Sequence, residues 1–469
     1  MVVGQIAEEV DVLVIGAGPG GYATALHAAH LGQQVTLVER EAVGGTCLNV
    51  GCIPSKTLIE VADLVARAPE AARWGVTLRA DVDMKAVQRH LRATVEGLTK
   101  GVRTLLDAAG VRVVRGTARL TTADRVVIDA GEQAMHIEFR HLVLATGSHP
   151  VSLPGLPVDG RRVLDSTGAL ALDRLPGSIV VVGGGYIGVE LGTAFAKLGS
   201  RVTVVEAMDR LLPGLEPSLG RVVGRRLREL GVDVLLSTKA HDLTETELVV
   251  QGSDGATRGV PAEVVVVAVG RVPAVGDLGL ERAGVKLDER GLVRVDPARR
   301  TSNPRVLAIG DLTAGPALAH KATAEALVAA LTAARKPASF DPAAIPQVVF
   351  SDPEVVSVGA TAGELKAAGL EPLVFRFPFG ASARARTLDR TTGHVELVAD
   401  AEQTVVGVHM VGAHVSELAG EAALAIEMAA TVEELAGTIH PHPTLSEALA
   451  EAAHGALGMP LHVAVQRRR

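Results

Sequence analysis

The segment GGTCLNVGCIPSK at 44–56 holds Cys47 and Cys52, the only two cysteines among 469 residues. Two are too few for a structural disulfide framework, and a pair this close in a reducing compartment points to redox chemistry or a metal. A metal would need further cysteine ligands, which the chain lacks. In a regular helix, residues five apart are separated by about 7.5 Å of rise and ~140° of rotation. A disulfide usually needs Cα atoms within about 7 Å, so the segment cannot be uniform helix if the sulfurs are to meet. Gly51 and Pro54 are consistent with an irregular turn entering a helix at Cys52, whose N-terminal dipole would favour a thiolate. The plain alternative is two unconnected buried thiols. Lys56, one turn beyond Cys52, is placed to share its helix face.

A second cluster, HPHPTLSE at 440–447, sets two histidines and a glutamate among prolines that resist helix. Moving a proton to or from a thiol needs a base near neutral pKa, and a histidine oriented by a carboxylate supplies one. His442 with Glu447 meets that requirement, whereas His440 reads as structural.

Two glycine turns complete the set. Gly16, Gly18 and Gly21 follow the strand-like VDVLVIG at 10–16, and Gly183, Gly185 and Gly188 follow SIVVVGGG at 178–185. In such a turn the first glycine permits the bend, the second lets a pyrophosphate approach the backbone, and the third lets helix and strand pack closely. The helix N-terminus then offers N–H groups to the anion. Glu39 and Glu206 each stand 23 residues beyond the first glycine of their turn, at strand ends suited to ribose hydroxyls. One such turn alone is a weak signal, but two in register imply two nucleotide sites. A carboxylate at 206, with no arginine cluster after it, repels a 2'-phosphate and favours NAD(H) over NADP(H).

Around these residues the chain reads strand, turn, helix, strand twice, at 10–39 and 178–206. Between them lie a charged helical stretch at 84–110, strand patterns VRVVRG and RVVIDA, then HLVLATGSHP at 141–150 and a connector marked by Pro150, Pro154 and Pro157. From about Ala344 the pattern changes to strands QVVFSD, LVFRFPF, GHVELVAD and VVGVHMVG, followed by helices from Ser416 to His454, which predicts a separate α+β unit. The length suggests roughly three domains at about 150 residues each. A net charge of −7 provides no field to gather nucleic acid or an anionic membrane. The apolar run VVVVAVG at 264–270 is far below the roughly 18 residues of a membrane span. The N-terminal MVVGQIAEEV lacks a basic region followed by an apolar one, and the expectation is a soluble cytoplasmic protein with Arg467, Arg468 and Arg469 as a solvated tail.

Taken together, these residues resemble the pyridine nucleotide disulfide oxidoreductases over nearly the whole chain. The likeness is strongest to members that oxidise dihydrolipoyl groups for 2-oxo acid dehydrogenase complexes. GAGPGGY, GGTCLNVGCIPSK, LATGSHP, GGGYIGVELG, AIGDLTAGPALAHKA, SDPEVVSVG and HPHPTLSEA occur in the family's order. The resemblance implies FAD on Gly16, Gly18, Gly21 and Glu39, with Gly116 and Gly147 nearby and Asp311 and Ala319 beside ribityl chain and flavin. Lys56 would approach flavin N5 with Glu190 as its partner, and Gly183, Gly185, Gly188, Glu206 and Gly270 would hold NAD. It further implies a Cys47–Cys52 disulfide in which Cys47 exchanges with substrate and Cys52 contacts the flavin. The His442–Glu447 pair would come from the other subunit of a homodimer. The implied fold is α/β: two Rossmann-like FAD- and NAD-binding domains plus a C-terminal α+β dimerisation domain. The first part of the FAD domain falls at 1–150, the NAD domain at 151–276, a central domain completing the FAD site at 277–345, and the dimerisation domain at 346–469.

No lipoyl-like extension precedes residue 11, so lipoyl groups would arrive on a separate acyltransferase of the complex. Pro441 stands where relatives commonly have Ala, and Ala274 where Asn is usual; Pro441 bears on the tilt of the His442 loop. Glutathione reductase shares the scaffold, but Glu206 speaks for NAD and no dedicated arginines for glutathione carboxylates are visible. Mercuric reductase and high-molecular-weight thioredoxin reductase would bring an extra C-terminal cysteine pair, which the cysteine count excludes. A chiefly structural subunit with an incidental flavin is disfavoured by the intact Cys, His and Glu set.

Overall fold

An almost unbroken apolar run, such as VLVI at 12–15, has no polar face to offer water and suits a parallel strand covered on both sides. The computed structural model, which describes residues 7–131 and 134–464, places it so. Strand Glu8–Ile15 lies between the parallel strands Val35–Glu39 and Ala134–Leu144. Val12, Leu13 and Val14 are wholly buried, each contributing about 1.5–3 kcal/mol by leaving water. The residues before 7 and the arginines at 467–469 lie outside the described residues.

Arg112–Arg115 extends this first sheet beyond Val35–Glu39, and the strands Thr117–Leu120 and Arg125–Asp129 form a meander with Ala134–Leu144. Val306–Ala308 returns from far downstream to pair in parallel with Leu142–Leu144. Helix Ala319–Ala333 then packs on Pro19–His30. The charged stretch forms helix Met84–Ala108, whose start is fixed by Asp83 accepting the N–H groups of Lys85 and Ala86.

The second unit repeats the plan. Ser178–Val182, Arg201–Val205, Asp233–Leu235, Val264–Val267 and Val163–Leu164 make a five-stranded parallel sheet, with helix Tyr186–Leu198 crossing between the first two. An antiparallel meander of Lys239–Leu243, Glu247–Gln251 and Thr257–Pro261 accompanies it, an addition the apolar pattern did not announce. The chain enters and leaves this unit side by side, because Ser148–Pro150 pairs antiparallel with Arg271–Pro273.

The C-terminal part is an antiparallel sheet of five strands, one more than expected: Glu354–Gly359 joins Gln347–Val349, Leu373–Pro378, His394–Ala399 and Val405–Gly412. Val356, Val358, Val395, Leu397, Val408 and Met410 alternate onto one face, where they pack with Leu435 and Leu449 of helices Val432–Gly437 and Glu447–Ala456. The α/β architecture with two Rossmann-like units and a C-terminal α+β unit is the one expected. No helix among the described residues is long and apolar enough to cross a membrane.

Candidate active site

The two cysteines occupy two helices, as the spacing required. Cys47 lies in Gly45–Val50 and Cys52 opens Cys52–Glu70, with Gly51 between them at φ −133°, ψ −109°. A Cβ on Gly51 would come within 2.9 Å of the Thr46 carbonyl oxygen, so the break depends on glycine. Both thiols are in the free form and are hydrogen-bonded to each other. That bond is the main reason Cys52, whose surface is open to the cavity, is lowered to about 7, with Lys56's charge helping against the partial desolvation of the cavity wall. The same bond, reinforced by burial, pushes Cys47 up. The pair is therefore poised to ionise at Cys52 near neutral pH while Cys47 keeps its proton, the state from which thiol–disulfide exchange runs.

Lys56 Nζ lies 2.8 Å from Glu190 Oε2, joining the cysteine helix to Tyr186–Leu198 across 134 positions of sequence. Glu190 is only 3% exposed, and its other oxygen accepts the Phe350 N–H at 2.9 Å. The Phe350 ring sits 4.8 Å beneath the Lys56 ammonium.

Both cysteines, Lys56 and Glu190 line one cavity of about 400 Å³ that runs on to Gly16, Gly18 and Glu39 and is walled also by Gly147, Asp311 and Ala319. The glycines behave alike in both turns. Gly16 and Gly183 sit at φ +98° and +113°, and a Cβ at Gly21 or Gly188 would fall 1.7 or 1.9 Å from the carbonyl oxygen of Gly16 or Gly183. By contrast, a Cβ at Gly18 would meet only Gly45 Cα at 4.0 Å, and one at Gly185 nothing within 4 Å. The second glycine of each turn thus faces open ground at a helix start that has no side-chain cap, where an anionic group finds free N–H donors. A dinucleotide fits this cradle.

The glutamates also match. Glu39 accepts the N–H groups of Ala17 and Glu41, both at 2.7 Å; Glu206 accepts those of Gly184 at 2.6 Å and Met208 at 2.7 Å. Gly183, Gly185, Gly188, Glu206 and Gly270 lie off the cavity, although Tyr186, Ile187 and Leu191 from the same unit reach it. Gly116 is likewise off the cavity, its N–H donating to the Glu39 carbonyl at 2.9 Å.

His442 Nδ1 meets Glu447 Oε1 at 2.9 Å, and Glu447 Oε2 accepts the Thr444 N–H at 2.8 Å. Burial disfavours the Glu447 charge, yet the Thr444 N–H and His442 outweigh it and hold the carboxyl below its ordinary range. With Nδ1–H donated to a carboxylate, Nε2 is left as the proton acceptor. Pro441 does not prevent this contact. His442 is 70% exposed and stands apart from the cavity of its own chain. His440, by contrast, is tucked in, with Nδ1 at 2.9 Å from the Thr438 carbonyl and Nε2 at 2.7 Å from Glu421.

Sequence reasoning missed the polar groups behind Asp311. Ser148 Oγ donates to Asp311 Oδ2 at 2.5 Å, and Arg271 grips Ser148 through its hydroxyl at 2.7 Å and carbonyl at 2.6 Å. Lys321 and Glu325 are buried beneath the same turn; two charges four apart in an otherwise small and apolar helix were the available signal.

Residues 10–326 match the family described as pyridine nucleotide-disulphide oxidoreductase, and residues 345–453 match its dimerisation domain. The chain is 44% identical to the dihydrolipoyl dehydrogenase of Geobacillus stearothermophilus over 99% of both chains. It is 46% identical to that of Haloferax volcanii over 98% of this chain and 99% of the relative. Among solved structures, LpdA of Mycobacterium tuberculosis is similar with a TM-score of 0.89 and 28% identity, over 96% of this chain and 99% of that one.

Proposed function

The chain belongs to the pyridine nucleotide-disulphide oxidoreductase family, and we propose that within it the chain oxidises protein-bound dihydrolipoyl groups to lipoyl with NAD+, the activity for which its relatives are named. The observation that carries this reading is the Cys47–Cys52 pair, set at adjoining helix ends on the wall of a cavity that continues to a phosphate-type glycine turn.

Gly16, Gly18, Gly21, Glu39, Gly147, Asp311 and Ala319 would hold FAD, with Gly116 behind Glu39. Gly183, Gly185, Gly188, Glu206 and Gly270 would hold NAD. When bound, FAD supplies the two-electron transfer between the cysteine pair and NAD+. The protein residues do the sulfur chemistry. A dihydrolipoyl thiol gives its proton to His442, which Glu447 orients, and the resulting thiolate attacks Cys47 of the oxidised pair. The Cys47–Cys52 bond breaks and Cys52 departs as thiolate; the sulfur with the lower pKa leaves faster, which supports this polarity. The second substrate thiol then displaces Cys47, its proton passing to the departing Cys47 sulfur, which releases lipoyl disulfide and leaves the reduced pair as Cys47 thiol and Cys52 thiolate beside protonated His442. Lys56, held by Glu190, offsets the negative charge that gathers at Cys52.

Because His442 turns to solvent in its own chain, a second copy is its natural route to Cys47, and the active species is a homodimer. Leu424, Met428, Ile439, Met459 and Leu461 stand exposed on the C-terminal part, an apolar surface that a second copy would cover. The working partner is the lipoyl-bearing acyltransferase of a cytoplasmic 2-oxo acid dehydrogenase complex. NADH formation from dihydrolipoamide by purified protein tests the reading. No turnover, or NADPH-driven reduction of glutathione disulfide in its place, overturns it.

A further inference from the structure

Gly310, Asp311 and Leu312 form one tight turn after strand Val306–Ala308. Gly310 is buried at φ +72°, and its peptide groups need partners there. Glu325 accepts the Gly310 N–H at 2.6 Å, and Lys321 Nζ donates to the Gly310 carbonyl at 3.0 Å. The two side chains come from successive turns of helix Ala319–Ala333 and are themselves paired at 3.1 Å. Thr313 Oγ1 lies 3.0 Å from Lys321 and 3.2 Å from Glu325, and Arg299 adds a bond to Glu325 at 2.9 Å.

Lys321 is 2% exposed and Glu325 wholly buried. Apolar side chains of similar volume in place of such a pair are often neutral or stabilising, so stability alone does not account for two buried charges. Their bonds clamp both sides of the residue immediately before Asp311. Asp311 gives one oxygen to Ser148, and among the described residues no group donates to the other, while the residue lines the cavity.

We propose that Lys321 and Glu325 are positioning residues which fix the Asp311 carboxylate on the cavity wall and, through it, set the affinity for FAD. This rests on the reading that the cavity holds FAD.

The test is a double-mutant cycle on purified holoenzyme, with FAD affinity measured by retention through serial ultrafiltration and folding followed by circular dichroism. Lys321→Met and Asp311→Asn are each expected to weaken FAD binding about tenfold or more, the range of one charge-assisted hydrogen bond. The double variant is expected to bind no more weakly than the worse single one, because both act at one carboxylate. Lys321→Gln, which keeps a donor without the charge, should fall between wild type and Lys321→Met, and it serves if the methionine variant does not fold. Multiplying losses in the double variant, or a fall in melting temperature with unchanged FAD affinity, overturns the proposal. Wild-type protein that retains no FAD overturns the cofactor reading itself, a result distinct from either.

Discussion

Replacing Lys56 with methionine is expected to raise the pH at which Cys52 ionises. In the wild-type chain that thiol titrates at about 7, held down first by the hydrogen bond from Cys47 and then by the Lys56 charge. Lys56 is four residues on in the same helix, which places it about 6 Å along the axis. For a charge separation on the order of 6 Å, a unit charge in an effective dielectric of about 20 contributes about 3 kcal/mol. The ammonium is 32% exposed, and screening by water reduces that contribution by roughly half. At about 1.4 kcal/mol per pH unit, the midpoint should move up by about one unit. The sign is fixed by charge: removing a cation destabilises the thiolate. At pH 7 the thiolate fraction of Cys52 should fall from about one half to about one tenth. The assay is the pH dependence of iodoacetamide incorporation at Cys52 in NADH-reduced protein, with peptide mapping to separate Cys52 from Cys47. A midpoint that stays in place or moves down refutes the electrostatic role given to Lys56.

Cys47→Ser should abolish NADH formation from dihydrolipoamide yet leave the flavin absorbance of the purified protein intact; retained turnover contradicts the exchange role. His442→Gln should slow dihydrolipoamide oxidation by about 100-fold to 10,000-fold, the usual worth of a general base, while NADH titrations stay near wild type, and equal losses in both measurements count against it. Gly188→Ala would set a Cβ 1.9 Å from the Gly183 carbonyl oxygen, so NADH binding followed by fluorescence should be lost with FAD retained; unchanged NADH affinity would show that the second turn is not the nicotinamide site.

Sequence was most informative where a short segment carries its own constraint. The helix entry at Cys52 follows from Gly51 and Pro54, and the matched roles of Gly21 and Gly188 follow from spacing alone. The contact between His442 and Glu447 is local, five residues apart, and was readable for the same reason. The Lys56–Glu190 bond spans 134 positions, and only the family likeness suggested it. The Arg271–Ser148–Asp311 chain and the Lys321–Glu325 pair escaped notice because their meaning depends on which backbone groups the fold buries. Strand Glu354–Gly359 was passed over because its EVVSVG was read only as part of a motif, and pairing with Val405–Gly412 reveals it.

The strand Ala134–Leu144 has a divided edge: its first residues bond to Arg125–Asp129, its last three to Val306–Ala308. A ribosome delivers these partners far apart in time. When residue 144 has left the tunnel, that stretch of sheet carries raw N–H and C=O groups, and it must wait through synthesis of the entire second unit before its neighbour arrives. Asp311 and Ala319, proposed to hold FAD, come later still, so on that reading the flavin cradle is complete only after translation has passed them. The nascent chain is therefore open-edged at this strand from the time residue 144 emerges until residue 308 has followed it, the interval in which unpaired strands invite misassembly.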